Sequence, residues 1–131
     1  MKTVQPEGWP RPSGYSNGVV AQGRILAVAG QIGWNERGEF TSDDLVEQAA
    51  QALSNVLAVV RAAGGSASDV IRLTWYITDK QAYRAAAAQL GRVYRDLFGA
   101  HYPAMTLVQV ADLLEDRAKV EIEATAVLTD D

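Results

Sequence analysis

Two glutamates near the end of the chain are the residues whose type and spacing best suit acid–base chemistry. Glu121 and Glu123 alternate with Val120, Ile122 and Ala124 in a segment typical of a β-strand, so both carboxylates should share one sheet face. They would lie about 7 Å apart along such a strand, which suits neither a tight carboxylate pair nor, by itself, a metal site. A solvated strand face is the plainer interpretation. A carboxylate in a dry cleft could instead act as an acid or position a water molecule.

The loop before Pro103 carries the single histidine of the chain, His101. Proline has no N–H to donate and therefore suits the start of a strand. A serine–histidine triad would have to use His101, but no serine lies in a recognisable nucleophile turn. The sequence also lacks a nucleophile elbow, a Walker loop and a dinucleotide-binding fingerprint. We therefore expect His101 to be a solvated loop residue.

Three further side chains could shape a small-molecule pocket. Tyr15 lies in a segment rich in glycine, serine and asparagine, where it could close over a ligand or simply pack on the next strand. Trp34 follows Gly33 in a loop, as either a pocket wall or a buried plug. Gln31 ends a strand with an amide that can orient a small ligand. None of these signals is specific alone.

The composition is that of an ordinary globular protein, with 48% hydrophobic and 21% charged residues, and 131 residues suit one domain spanning 1–131. With no cysteine and one histidine, a metal centre is not expected. The formal net charge is −4 and the arginines are scattered, which disfavours nucleic acid as a partner. No apolar run suits a membrane span, and residues 1–9 lack the core of a signal peptide, so we expect a cytoplasmic protein.

Hydrophobic periodicity and turn residues predict an α+β fold. A β-hairpin with Gly23 in its turn should follow an irregular arm. The first helix should begin at Asp43-Asp44, whose carboxylates can cap free N–H groups, and Phe40 can add a short edge strand before it. The predicted elements are the arm 1–17, hairpin strands 18–21 and 24–30, helices from 43–44 to 64–65 and from 80 to 98, and strands 70–77, 104–110 and 119–127.

These elements are expected to form a six-stranded mixed β-sheet with two α-helices on one face. Two helices cover only one face of such a sheet. The strands at 24–30 and 104–110 nevertheless carry apolar residues at both odd and even positions, so both of their faces should be buried. A partner subunit that covers the second face is the economical explanation, and the sequence therefore predicts a homo-oligomer.

Short segments through nearly the whole chain resemble the RidA/YjgF group of small imine and enamine deaminases. The matching segments are Gly14-Tyr15-Ser16, Gly30-Gln31, Gln48 to Leu57 with Asn55, Ala63-Gly64-Gly65, Asp69-Val70, Thr78-Asp79, Tyr102-Pro103-Ala104 and Val120-Glu121-Ile122-Glu123-Ala124. The resemblance implies a fold similar to trimeric chorismate mutase and a homotrimer with a ligand cleft between neighbouring subunits. That expectation agrees with the second sheet face assigned to a partner.

The resemblance also implies a chemistry, the hydrolysis of a reactive imine or enamine to ammonia and a carbonyl product. No cofactor is implied, because a protonated imine is already electrophilic at carbon. Glu121 matches the family glutamate that positions the water, and Tyr15 matches the aromatic residue that closes the pocket. The substrate-binding residues implied in this way are Tyr15, Ser16, Gln31, Trp34, Gly91, Met105 and Leu107.

Three positions depart from the pattern that the resemblance implies. Met105 stands where deaminating members have an arginine that binds the substrate carboxylate, and a thioether cannot form that pair. Leu107 replaces a cysteine found in many members, and Gly91 replaces an asparagine usual in the second helix. The pocket should therefore be more apolar than the family type. Arg72 or Arg24 could supply the missing guanidinium, although nothing in the sequence places either residue there.

Three functions follow from these observations. The first is an imine or enamine deaminase of altered specificity, with Glu121 as the water-positioning acid and base. The second is a non-catalytic binding or regulatory protein whose cleft holds a small apolar or weakly polar metabolite. A ribonuclease or translation inhibitor, as claimed for some relatives, ranks last because the chain is acidic.

Overall fold

Six strands and three α-helices form in the described part of the chain, residues 1–129 of a computed structural model. The α+β class predicted from the sequence is confirmed. In chain order the elements are β1 (Lys2–Val4), β2 (Gly18–Val20), β3 (Arg24–Gln31), α1 (Leu45–Ala62), β4 (Val70–Ile77), α2 (Lys80–Ala85), α3 (Ala87–Phe98), β5 (Ala104–Gln109) and β6 (Val120–Leu128).

The strands divide between two sheets rather than forming one. A four-stranded sheet has the order β3-β6-β4-β5, with β4 and β5 parallel and the other neighbours antiparallel. β1 and β2 form a separate antiparallel pair, so part of the predicted irregular arm is a strand. The mixed strand directions are confirmed, whereas the single six-stranded sheet is wrong.

The hairpin predicted around Gly23 does not form. β3 pairs with β6, beginning with Arg24 opposite Leu128, and β2 pairs with β1 instead. A Cβ at Gly23 would lie 2.2 Å from the carbonyl oxygen of Leu128, so this glycine lets the chain pass close to the end of β6. The nine residues of β6 offer β3 a longer ladder than the three residues of β2. The distant partner is favoured because it satisfies more backbone groups and buries more apolar surface.

The first helix begins and ends where the sequence predicts. Asp44 is its N-cap, and the Asp44 carboxylate accepts a hydrogen bond from the Glu47 N–H at 3.0 Å. Beyond its last turn, Gly64 has a φ of 91° and donates its N–H to the Arg61 carbonyl oxygen at 2.9 Å. Both ends could be predicted because caps depend on neighbouring residues.

The second predicted helix is interrupted. It divides at Ala86 into α2 and α3, although neither proline nor glycine stands there. The Ala86 N–H is shared between the carbonyl oxygens of Ala82 and Tyr83, which tightens the turn. Tyr83 on α2 contacts Trp75 edge to face, with ring centroids 6.2 Å apart.

The two faces of the four-stranded sheet have different surroundings. On the helix side, the alternate β6 residues Val120, Ile122, Ala124 and Ala126 are buried, as predicted. We call the other side the open face, since no helix covers it in the described chain. Along β3 the side chain of Ile25 is 77% exposed in the single chain, so burial of both faces of this strand would require the partner subunit that the sequence predicts. On β4 and β6 the open face presents Arg72, Thr74, Tyr76, Glu121, Glu123 and Thr125, and Ile25 of β3 lies on the same side.

Candidate functional site

A cleft of about 550 Å³ lies between helices α2 and α3, strands β4 and β5, and the N-terminal arm. We call it the aromatic cleft, since five of its residues are tyrosine or tryptophan. It is lined by Ser13, Gly14, Tyr15, Trp75, Tyr83, Ala87, Leu90, Gly91, Tyr94, Arg95, Tyr102, Met105 and Leu107. Four of the predicted substrate-binding residues therefore meet in one place: Tyr15, Gly91, Met105 and Leu107.

Strand register directs Met105 and Leu107 towards the helices. In the parallel pair β4–β5, Met105 lies opposite Leu73 and Leu107 lies opposite Trp75. Leu73 and Trp75 are both buried on the helix side of β4. Because directly paired residues project to the same face, Met105 and Leu107 form the floor of the cleft.

An aromatic stack supports the wall at the start of β5. The rings of Tyr94 and Tyr102 stack with centroids 5.5 Å apart, and the rings of Tyr94 and Phe98 stack at 4.8 Å. The Tyr94 hydroxyl donates to the His101 carbonyl oxygen, and the His101 Nε2 lies 2.6 Å from the Val70 carbonyl oxygen. His101 is thus half-buried and hydrogen-bonded, and the prediction of a solvated loop residue is wrong. Its distant partners on β4 and α3 could not be seen in the local sequence.

The arm that carries Tyr15 is anchored to the beginning of β5. The Ser16 hydroxyl donates to the Tyr102 carbonyl oxygen at 2.5 Å, and the Ser16 N–H donates to the Pro103 carbonyl oxygen at 3.1 Å. Ser16 itself does not line the aromatic cleft. Its two bonds place Tyr15 at the cleft mouth, where that side chain is 40% exposed.

The aromatic cleft contains little acid–base capacity. Burial raises the pKa of the Tyr83 phenol, and it raises the pKa of the Tyr94 phenol further. Arg95 is the one formally charged side chain among the described cleft residues. The indole Nε1 of Trp75 is buried and has no hydrogen-bond partner in residues 1–129.

Glu121 lies on the open face and not in the aromatic cleft. It pairs with Tyr76, whose position on β4 alternates with the buried Trp75 and Ile77. A Cβ at Gly30 would lie 2.0 Å from the Glu121 Oε2, so the carboxylate occupies the space that a side chain at position 30 would need. The absence of a side chain at Gly30 therefore leaves room for the Glu121 carboxylate at the end of β3.

Gln31 and Trp34 also lie outside the aromatic cleft. The Gln31 side chain donates to the Ala29 carbonyl oxygen at 3.0 Å, at the end of β3. The Trp34 ring lies 6.0 Å from the Phe40 ring, and these two residues form a single β-bridge. The Asn55 amide donates to the Trp34 carbonyl oxygen at 2.8 Å. Trp34 thus belongs to a loop fastened to α1. Within residues 1–129 Phe40 forms only this isolated bridge, so the short edge strand predicted there is wrong.

A second group of polar side chains surrounds Tyr76 on the open face. The Tyr76 hydroxyl donates to the Glu123 Oε1 at 2.5 Å, and this bond raises the pKa of the phenol. Burial and the charges of Glu123 and Glu121 raise it further, while Arg72 opposes the shift. This side of the sheet thus holds the acidic groups that the aromatic cleft lacks.

Sequence reasoning did not identify most of the residues of α2 and α3 that form the walls of the aromatic cleft. Tyr83, Leu90 and Tyr94 follow helical spacing, which by itself indicates packing against the sheet. Arg95 could have been found from its spacing, because it follows Gly91 by one helical turn and shares its side of α3.

No three histidine, aspartate or glutamate side chains of residues 1–129 gather as metal ligands would. No helix over the same residues is long and apolar enough to cross a membrane.

Comparisons with known proteins cover nearly the whole chain. The model of the endoribonuclease L-PSP family matches residues 10–128. A RutC family protein of Pyrococcus horikoshii is 36% identical over 126 residues, covering 95% of this chain and 96% of the relative. The 2-iminobutanoate/2-iminopropanoate deaminase of Escherichia coli K12 is 35% identical over 130 residues, covering 96% and 97%. The solved structure of YyfB from Yersinia pestis, of the conserved Rid protein family, has a TM-score of 0.86 at 34% identity, covering 97% and 98%.

Proposed function

This chain belongs to the endoribonuclease L-PSP family, together with the RutC and Rid relatives, and from that membership we propose that it hydrolyses a reactive imine or enamine. The observation that carries the proposal is its 35% identity, over 130 residues, with a protein named as a 2-imino acid deaminase. On the open face, the carboxylate of Glu121 fits against Gly30, which has no side chain. The aromatic cleft supplies a largely apolar space for a substrate body.

The proposed reaction needs only water and proton transfer. A water molecule adds its oxygen to the imine carbon, and the C=N double bond becomes a single bond in a carbinolamine. Glu121 accepts one proton from the water and returns it to nitrogen. It then transfers the proton of the carbinolamine hydroxyl to the same nitrogen as the C–N bond breaks, so that ammonia leaves and a C=O double bond remains. An enamine first takes a proton at its β-carbon and becomes the same imine. The step exchanges no electrons with an external partner, so no redox cofactor is invoked.

The proposed site is shared between subunits of a homotrimer. Glu121 and the aromatic cleft occupy opposite faces of one sheet, so a site containing both requires a second copy of the chain. The exposed Ile25 on β3 supports burial of the open face by a partner, because an apolar side chain there gains by leaving water. The cytoplasmic location and the single domain over 1–131 remain predictions from the sequence.

Ammonia release from freshly generated imines tests the proposal. Wild type should accelerate release from an imine with an apolar or aromatic body, and Glu121→Gln should lower that acceleration about 100-fold or more. Glu123→Gln is the matched control, since it removes a carboxylate from the same strand and face. Activity that survives Glu121→Gln, or falls equally in the control, would contradict the role of Glu121.

A binding protein without turnover is the second candidate. The observation that favours it is the cleft itself, because Met105 and Leu107 form an apolar floor and no carboxylate lines it within the described chain. Tight binding of an apolar metabolite with no acceleration of any imine would establish this alternative. The family description names an endoribonuclease, yet a net charge of −4 provides little phosphate neutralisation, so that activity ranks last.

A further inference from the structure

The charge of the aromatic cleft comes from one side chain. Arg95 lies on α3, and no carboxylate forms an ion pair with its guanidinium in the described part of the chain. The remaining lining is aromatic, aliphatic, hydroxyl or glycine. A ligand that fills this space therefore meets an apolar body and a single positive charge.

Gly91 and Arg95 are arranged so that the guanidinium lies at the cleft. They are four residues apart on α3, and helical side chains lean towards the N-terminus, over the preceding turn. A Cβ at Gly91 would find the Arg95 Nη1 at 3.4 Å, and no other atom near enough to be in contact. The arginine therefore covers the backbone at Gly91, and both residues line the aromatic cleft.

Glycine at this position needs an explanation, because a helix interior normally disfavours it. Glycine there is less favourable than alanine, because its backbone loses more conformational freedom on folding. Core packing does not require it, since a small Cβ would meet only the arginine. A large side chain, however, would displace the guanidinium from the cleft. Glycine at position 91 therefore leaves the space that the Arg95 side chain occupies.

We propose that Arg95, lying over Gly91, is the anion-binding residue of the aromatic cleft, and that the substrate joins an apolar or aromatic body to one anionic group. The inference rests on the proposed function, because it names the substrate class for the same cleft. A planar guanidinium can form two parallel hydrogen bonds with a carboxylate, and the ring walls can stack on the body. Met105 cannot bind that anion, so the charge comes from the helix wall instead of the β5 floor.

Two other arginines are rivals that the structure separates from Arg95. Arg72 pairs with Ala104 and projects to the open face, where it opposes the shifted pKa of Tyr76. It does not line the aromatic cleft, although it lines a neighbouring pocket together with Tyr15 and Met105. Arg92 stands on the same helix as Arg95 and is exposed, but it does not line the cleft either. Both residues are therefore controls.

Equilibrium binding of two probes with the same body tests the proposal. The probes are 3-phenylpropanoate and its uncharged amide, titrated into the full chain and followed by calorimetry. Wild type should bind the acid about tenfold more tightly than the amide, which corresponds to one charge-assisted contact. Arg95→Gln should remove that preference, whereas Arg92→Gln and Arg72→Gln should keep it. Circular dichroism should confirm that each variant is folded, which an exposed substitution allows.

Three results would overturn the proposal: no binding of the acid by wild type, an unchanged preference in Arg95→Gln, or an equal loss in Arg72→Gln. The assay requires no turnover, so it separates this inference from the deaminase activity. An Arg95-dependent preference without ammonia release would refute the deaminase and leave the anion site standing. Ammonia release with a KM for an anionic imine that Arg95→Gln does not change would refute the anion site alone.

Discussion

Met105 and Glu121 project to opposite faces of the four-stranded sheet. Met105 lies opposite Leu73 of β4, and Glu121 lies opposite Tyr76 of the same strand. Because side chains alternate along a strand, residues 73 and 76 project to opposite faces. No side-chain rotation within one chain can bring the thioether and the carboxylate into one site. A site that uses both the cleft floor and the carboxylate must therefore be built from two subunits.

Mixing two inactive variants should restore activity if subunits share the site. Glu121→Gln lacks the carboxylate, and Gly91→Phe fills the aromatic cleft with a ring. In trimers assembled from equal amounts, about a quarter of the sites should combine an intact cleft with an intact glutamate from a neighbour. Ammonia release after co-expression and co-purification measures this. Activity no higher than that of the separate variants would indicate that the site does not combine residues of two chains.

Gly30→Ala should reduce activity through Glu121. The new methyl group would need the space within 2.0 Å of the Glu121 Oε2, so the flexible carboxylate would have to move. We expect a loss of about tenfold or more in kcat, since acid–base groups act only from a suitable position. Gly18→Ala on β2 is the control, because its Cβ would meet Val4 at an ordinary 3.5 Å. Equal rates in both variants would show that the position of the carboxylate does not matter.

The sequence predicts local features of the fold better than its long-range pairings. The Asp44 cap, the end of α1 at Gly64 and the alternation of β6 are each set by residues close in the chain. The partner of β3 is not, because β6 is about a hundred residues away and competes with the adjacent β2. The candidate site divides in the same way. Tyr15 could be proposed from its arm and Arg95 from its helical spacing to Gly91, while the register that places Met105 and Glu121 on opposite faces depends on strands distant in the chain.

Gln48→Leu should strongly destabilise the chain. The Gln48 amide is 1% exposed, donates to the Ser42 and Arg117 carbonyl oxygens at 3.0 Å, and accepts from the Lys119 N–H at 2.8 Å. Leucine has a similar volume but leaves these backbone groups without their partner. We expect a loss of about 2–4 kcal/mol in the free energy of unfolding.

Urea unfolding measures this loss. Gln89→Leu, at an exposed position of α3, serves as the control and should change stability by less than about 0.5 kcal/mol. A similar small change in both variants would mean that the buried amide contributes little.

Stability should fall in alkali partly because of Tyr94. Burial raises the pKa of this phenol above its ordinary value of 10.0, so the folded chain keeps a proton that the unfolded chain releases. The free energy of unfolding should therefore decrease as the pH rises above about 10. Tyr94→Phe should make that decrease less steep, without abolishing it, since the pKa values of Tyr76 and Tyr83 are also raised. Urea unfolding between about pH 9 and pH 11.5 measures the slope, and an identical slope in the variant would contradict the assignment.

Gly91→Ala should stabilise the chain if the glycine serves the cleft rather than the packing of α3. Its Cβ would meet only the Arg95 guanidinium, at 3.4 Å, so the gain in helix propensity should appear almost undiminished. We expect the free energy of unfolding to rise by about 0.5–1 kcal/mol, measured in urea. Ala88→Gly, at an exposed position of the same helix, is the reverse control and should lower it by a similar amount. A fall in stability for Gly91→Ala would show that packing requires the glycine, and the explanation of the Gly91–Arg95 pair would then have to be abandoned.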